Sequence, residues 1–209
     1  MIIVILLTLA YLLGSIPTAV WLSKYQFGID IREHGSGNAG ATNTFRILGK
    51  KAGTFVMIID MLKGLAAVKL AYLSEYAHFA DQTPFINLQI ALGLLAVIGH
   101  IFPIFAGFKG GKGIATLFGM ILGIQYIVAL SLAAVFIFML VATKYVSLSS
   151  ITTSIAFPIL LITIFKAEES SYQLFAIATA FLVVLTHHKN IGRLLSGNES
   201  KVKLKKKKE

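Results

Sequence analysis

No cysteine occurs in the 209 residues. That excludes disulfides, thiolate metal sites and cysteine nucleophiles. Acids are scarce: nine Asp and Glu stand against nineteen Lys and Arg, giving a net charge of +10. No surface with interleaved basic and aromatic residues lies outside the apolar runs, so no nucleic-acid partner is expected. No His and carboxylate ligands sit at metal-site spacing, so neither a metal nor another cofactor is expected. Alternating apolar and polar segments are also missing, which disfavours a membrane β-barrel. The apolar start, Met1 to Leu13, lacks a charged leader and a small-residue cleavage site. It reads as a retained helix rather than a signal peptide.

Long apolar runs are what the chain has instead. Apolar residues make up 56% of it, and the mean hydropathy is +0.81. Both values exceed ordinary soluble usage and point to an integral membrane protein. A crossing helix needs about 20 apolar residues. Candidate spans are 2–23, 53–74, 86–106, 146–165 and 172–188. The run from Ile114 to Ala142 would be about 43 Å long as one straight helix, too long for an untilted crossing.

Charge placement resolves that run. Apart from Lys63, Lys69 and Lys166, every Lys and Arg falls in 24–51, 107–113, 144 or 189–208. The opposite connections hold Glu75, Asp81, Glu168 and Glu169. Positive charge stays in the cytoplasm. With Lys109, Lys112 and Lys144 all inside, the long run crosses twice and turns near Gly123 to Tyr126. The expected fold is an all-α integral membrane bundle of seven transmembrane helices, with the N-terminus outside and the C-terminus cytoplasmic. Residues 1–200 form one transmembrane catalytic domain, and 201–209 form a basic cytoplasmic tail carrying KLKKKK. Gly119 and Gly123 read as a close helix contact. Asp60 and Lys63, three apart inside a span, read as a structural ion pair, with a proton or substrate pathway as the alternative.

Three polar, glycine-rich stretches adjoin the apolar runs and all fall on the cytoplasmic face in this topology. In HGSGNAGATN, Gly35, Gly37 and Gly40 free the backbone to present N–H groups to an anion. Ser36, Asn38, Thr42 and Asn43 add neutral donors, and Arg46 adds a fork for phosphate oxygens. GFKGGKGIAT carries Lys109, Gly110, Gly111, Lys112 and Gly113 at a helix start, where phosphate is attracted. It is not an ATP-binding P-loop. Gly107 and Lys112 are one residue too close, and Gly113 stands where Ser or Thr belongs. His187 and Asn190, three apart, share a helical face at the end of the last span. His187 is a candidate acid, base or phosphate donor. His100 lies close to the second stretch and reads equally as a packing histidine. Basic glycine sites at the edge of hydrocarbon suggest a ligand that is half phosphate and half lipid.

These stretches resemble the three motifs of the bacterial acyl-phosphate:glycerol-3-phosphate acyltransferases, the PlsY family. The matching segments are GSGNAGATN from Gly35, GHIFPIFAGFKGGKGIAT from Gly99 and HHKNIGRLLSGNESK from His187. GSIP, Gly14 to Pro17, is similar too. The resemblance implies transfer of a fatty acyl group from acyl phosphate to the 1-hydroxyl of glycerol 3-phosphate. It places Ser36, Thr42, Arg46, Lys109 or Lys112, His187 and Asn190 in the active site. It also implies a bacterial plasma membrane location and a soluble partner enzyme that makes acyl phosphate. An activated mixed anhydride needs no ATP, CoA or metal. Direct attack by the glycerol hydroxyl is favoured over an acyl-enzyme on Ser36 with His187 as base. An organic-phosphate transporter is the alternative, although its site would be expected near the midplane on broken helices.

Overall fold

The computed structural model describes residues 1–202. The expected basic tail therefore lies outside the described residues from Lys203 onward. The described residues form ten α-helices and no strand. The chain divides into two compact units, Met1–Tyr126 and the residues from Ile127 on.

The first unit opens with α1 (Ile2–Ser15). Ile16 takes an extended conformation before Pro17, whose ring disfavours helical backbone in the residue before it. The chain bends by 40° into α2 (Thr18–Phe27), which Gly28 ends in a left-handed conformation. A short loop leads to α3 (Ala41–Ile47) and then α4 (Gly49–Lys69). α5 (Thr83–Ile101) starts with Pro84 in its first turn, where a missing N–H costs nothing. α6 (Ile114–Ile124) follows a glycine-rich turn. α1 runs along α5, and α4 runs along α6. Leu6, Ala10, Ala67, Phe85, Leu88, Leu92 and Ala96 form the core that α1, α4 and α5 share. Gly119 is packed so closely that a Cβ there would overlap the backbone of Met61, so the expected tight helix contact is made between α6 and α4.

The second unit begins on α7 (Tyr126–Thr143). α8 (Val146–Ile159) contains Pro158, which cannot donate to the preceding turn, and passes into a widened π turn at Leu160–Ile164. α9 (Ser170–Thr186) packs on α8, and α10 (His188–Leu195) turns away from α9 by 62°. Phe157, Tyr172 and Phe175 form its aromatic core.

Among the described residues, three helical segments are long and apolar enough to cross a membrane: Thr83–Ala106, Tyr126–Thr143 and Val146–Ile164. The count rises to five if each bent pair, α1 with α2 and α9 with α10, is one span. α6 is apolar but only 11 residues long. α4 carries Asp60 and Lys63 in its middle. The long run expected to turn near Gly123 to Tyr126 does break there, with Gln125 extended between α6 and α7.

Candidate active site

The first glycine stretch is a loop built around one buried side chain. Asn43, in the first turn of α3, is 1% exposed. Its Nδ2 donates to the carbonyls of Ile31 (3.1 Å) and His34 (2.9 Å), and its Oδ1 accepts from the N–H of Ser36 (3.0 Å). The N–H of Gly37 donates to the His34 carbonyl. Gly35 and Gly37 take φ of 62° and 72°, a region costly for side-chain-bearing residues, and a Cβ on Gly35 would overlap Asn43 Oδ1. The loop thus spends the Ser36 and Gly37 amides on itself. Asn43 braces the loop from inside. Ser36, Thr42 and Arg46 remain exposed.

A second brace anchors the same loop from outside. Arg32 forks onto Asp30, with Nε 2.9 Å from Oδ1 and Nη2 2.6 Å from Oδ2. Lys24 pairs with Asp30 at 3.0 Å. The Arg32 hydrogen bond holds the Asp30 carboxyl well below the usual carboxylate range, against the burial that would raise it. The remaining Arg32 donor, Nη1, reaches the Ala106 carbonyl at 2.8 Å. That bond ties the first glycine loop to the second.

In the second loop the N–H groups of Gly110 and Gly111 donate to the Ile101 and His100 carbonyls at the end of α5, each at 3.1 Å. A Cβ on Gly110 would overlap the His100 carbonyl, and one on Gly111 would overlap His100 Nε2. These glycines permit a close approach to α5. Their amides are engaged by the end of α5. Lys109 is exposed and Lys112 half-buried, while Gly113 is buried and left-handed at the start of α6.

The third stretch, in the second unit, is held by a carboxylate. Glu199 accepts from Asn190 Nδ2 (2.6 Å), Ser147 Oγ (2.8 Å) and Arg193 Nε (2.7 Å). Its side chain is 6% exposed. Burial alone would raise this carboxyl, but its bonds to Arg193, Asn190 and Ser147 hold it below the ordinary glutamate range. The strand of chain after α10 also reaches Lys144, whose carbonyl accepts from Val202 N at 2.8 Å. His187 is 3% exposed, and its Nδ1 lies 2.8 Å from the Val183 carbonyl. A carbonyl only accepts, so Nδ1 carries the proton and Nε2 is the basic nitrogen of the neutral ring. His188 is exposed. Among the described residues, no group of three His, Asp or Glu could hold a metal.

A family model for glycerol-3-phosphate acyltransferases matches residues 4–197. The chain belongs to that family. It is 47% identical over 208 residues to the glycerol-3-phosphate acyltransferases of Streptococcus pneumoniae strains CGSP14 and R6, covering 97% of this chain and 94% of each relative. A crystal structure of PlsY (YgiH), an integral membrane glycerol 3-phosphate acyltransferase in its glycerol 3-phosphate form, is similar with a TM-score of 0.86. It is 37% identical, with 96% of both chains covered. The lysophosphatidic acid form of PlsY is similar with a TM-score of 0.82 at 36% identity, covering 96% of this chain and 95% of the other. The protein is accordingly a multi-pass membrane acyltransferase of the PlsY family.

Within the first unit of this acyltransferase, Arg32 brings the first two motifs together. Arg46 and Lys109 make no ion pair with the described residues and present free cationic heads. Sequence reasoning missed Asp30, Arg32, Ser147 and Glu199. Glu199 did leave a signal, as the lone acid in an otherwise basic and neutral stretch from Thr186 to Lys201. Arg32 left less, since nothing local distinguishes it from a topology-setting charge.

Proposed function

We propose that this protein transfers a fatty acyl group from acyl phosphate to the 1-hydroxyl of glycerol 3-phosphate, giving lysophosphatidic acid and phosphate as the first step of phospholipid synthesis. One observation carries the reading: its whole length is similar to two acyltransferase structures, one in a glycerol 3-phosphate form and one in a lysophosphatidic acid form. These are the acceptor and the product of a single acylation.

The transfer is direct. The glycerol oxygen bonds to the acyl carbon, the bond from that carbon to the phosphate oxygen breaks, and the hydroxyl proton leaves with phosphate or passes through a base. His187 Nε2 is the basic nitrogen suited to polarise the hydroxyl, and Asn190, held by Glu199, donates to a developing negative charge. Ser36 and Thr42 offer hydroxyl donors, and Arg46, Lys109 and Lys112 neutralise phosphate charge. The anhydride supplies the driving force, so ATP, CoA and metal have no step to perform. The chain lies in the bacterial plasma membrane with seven crossings, the N-terminus outside and these motifs facing the cytoplasm, where a soluble enzyme would deliver acyl phosphate.

The deciding experiment feeds purified protein acyl phosphate and labelled glycerol 3-phosphate and extracts the lipid. Labelled lysophosphatidic acid is expected without ATP or CoA and in the presence of EDTA. Without glycerol 3-phosphate, rapid quenching and intact-protein mass spectrometry should show no acyl adduct. An adduct on Ser36 that forms and decays at the turnover rate would replace direct transfer by an acyl-enzyme. Cysteines placed at Asp81 and Lys112 should label from opposite sides of sealed vesicles. Labelling from one side would overturn the topology.

A further inference from the structure

The first unit buries a charged cluster that the proposed chemistry does not use. Asp60 and Lys63 on α4 are 2% and 5% exposed. Lys63 Nζ lies 2.9 Å from Asp60 Oδ1, and Thr18 donates to the same oxygen at 3.3 Å. Lys63 also donates to the carbonyl of Ile16, in the break between α1 and α2, at 3.1 Å. On the far side, His100 Nδ1 approaches Asp60 Oδ1 at 3.6 Å. The other imidazole nitrogen, Nε2, lies against Gly111, close enough that Gly111 has no room for a Cβ. The His100 carbonyl accepts from the Gly111 N–H.

One carboxylate oxygen therefore has groups from three helices gathered round it: Thr18 on α2, Lys63 on α4 itself and His100 on α5. Two of them lead to places where chain geometry matters: Lys63 to the α1–α2 break, and His100 to the turn that carries Lys109 and Lys112. Charges within a membrane span are costly and persist where they do work. A pair needed only for helix packing is often matched or bettered by apolar residues of equal volume. A pair that fixes one ring orientation is not replaceable in that way. Rotation of the His100 ring would move the surface on which Gly111 rests and shift the two lysines with it.

We infer that Asp60, acting through His100, is a positioning residue for the Lys109–Lys112 turn, setting where that turn holds a substrate phosphate. The inference rests on the reading of that turn as a phosphate site. The brace acts through geometry and touches no substrate.

The test uses purified full-length protein with acyl phosphate and glycerol 3-phosphate. Asp60→Asn with Lys63→Gln removes both charges together, leaving no lone buried ion. His100→Ala removes the ring. Both variants should stay folded by size-exclusion profile and melting. Each should raise KM for one phosphate substrate about tenfold, with kcat changed less than about threefold. Gly111→Ala should raise the same KM. Combined with His100→Ala it should add little, because the atom it overlaps is gone. Lys109→Ala and Lys112→Ala calibrate the site itself. If those lysine variants raise KM while the Asp60/Lys63 and His100 variants keep wild-type constants, the brace is overturned and the phosphate reading stands. Wild-type KM in the lysine variants overturns the phosphate reading and the brace with it. Failure of both brace variants to fold assigns the cluster to folding alone and also overturns the inference.

Discussion

The first and third motifs solve the same problem by opposite means. Both must hold an irregular segment at a helix end. The first loop is held from within by a neutral amide, Asn43, and its glycines supply the left-handed turns. The third is held from its downstream side by an ion, Glu199, which gathers Asn190, Ser147 and Arg193. A neutral brace costs little to bury, and its loss leaves no stranded charge. An ionic clamp binds more strongly, but every partner depends on one carboxylate. The comparison teaches that glycine content does not by itself mark amides left open to a ligand. The Ser36, Gly37, Gly110 and Gly111 amides are all spent on the protein.

Removing Glu199 should have the largest effect. Glu199→Ala loses three hydrogen bonds to a charged group and leaves Arg193 without its partner, so roughly 2–4 kcal/mol of stability should disappear. Melting in detergent checks this. Loss below about 0.5 kcal/mol would show that the clamp is not ionic in effect. Arg46 comes next, on activity rather than fold. Arg46→Lys keeps the charge but loses the fork. A fall of roughly ten- to a hundredfold in kcat/KM for glycerol 3-phosphate is expected with melting unchanged. Near-wild-type kinetics in both Arg46→Lys and Arg46→Ala would remove Arg46 from the site.

Asn43→Ala sharpens the contrast directly. It should cost about 1–3 kcal/mol, less than Glu199→Ala, and weaken catalysis by loosening the Ser36 loop. A larger loss than Glu199→Ala would reverse the comparison. The smallest effect concerns pH. The folded Glu199 and Asp30 carboxyls both lie below their ordinary values. Their contribution is therefore complete above the unfolded carboxylate range of about pH 4 to 4.5 and is lost as pH falls through the lower folded values. Glu199→Gln should flatten the acid side of the melting-temperature profile, while Asn43→Ala should leave its slope alone. Equal flattening in both variants would show that another group carries the acid sensitivity.

Sequence alone determined the class of this protein. Sustained apolar runs, scarce acids and clustered lysines define a helical membrane chain, because hydrocarbon admits little else. It also singled out Ser36, Arg46, His187 and Asn190 as candidates, since motif spacing is local and is read without coordinates. Gln125 marked the break between α6 and α7 for the same reason. What only the tertiary structure decided is which polar groups are already satisfied. A glycine N–H reads identically in sequence whether it meets an anion or the His100 carbonyl. Asp60 and Lys63 are legible as an i, i+3 pair, but His100 joins them from a helix about 40 residues away. Arg32 reaches Ala106 across 74 residues. Hydrogen-bond partners at such separations are fixed by helix packing, and packing is a property of the whole folded unit rather than of any stretch of its sequence.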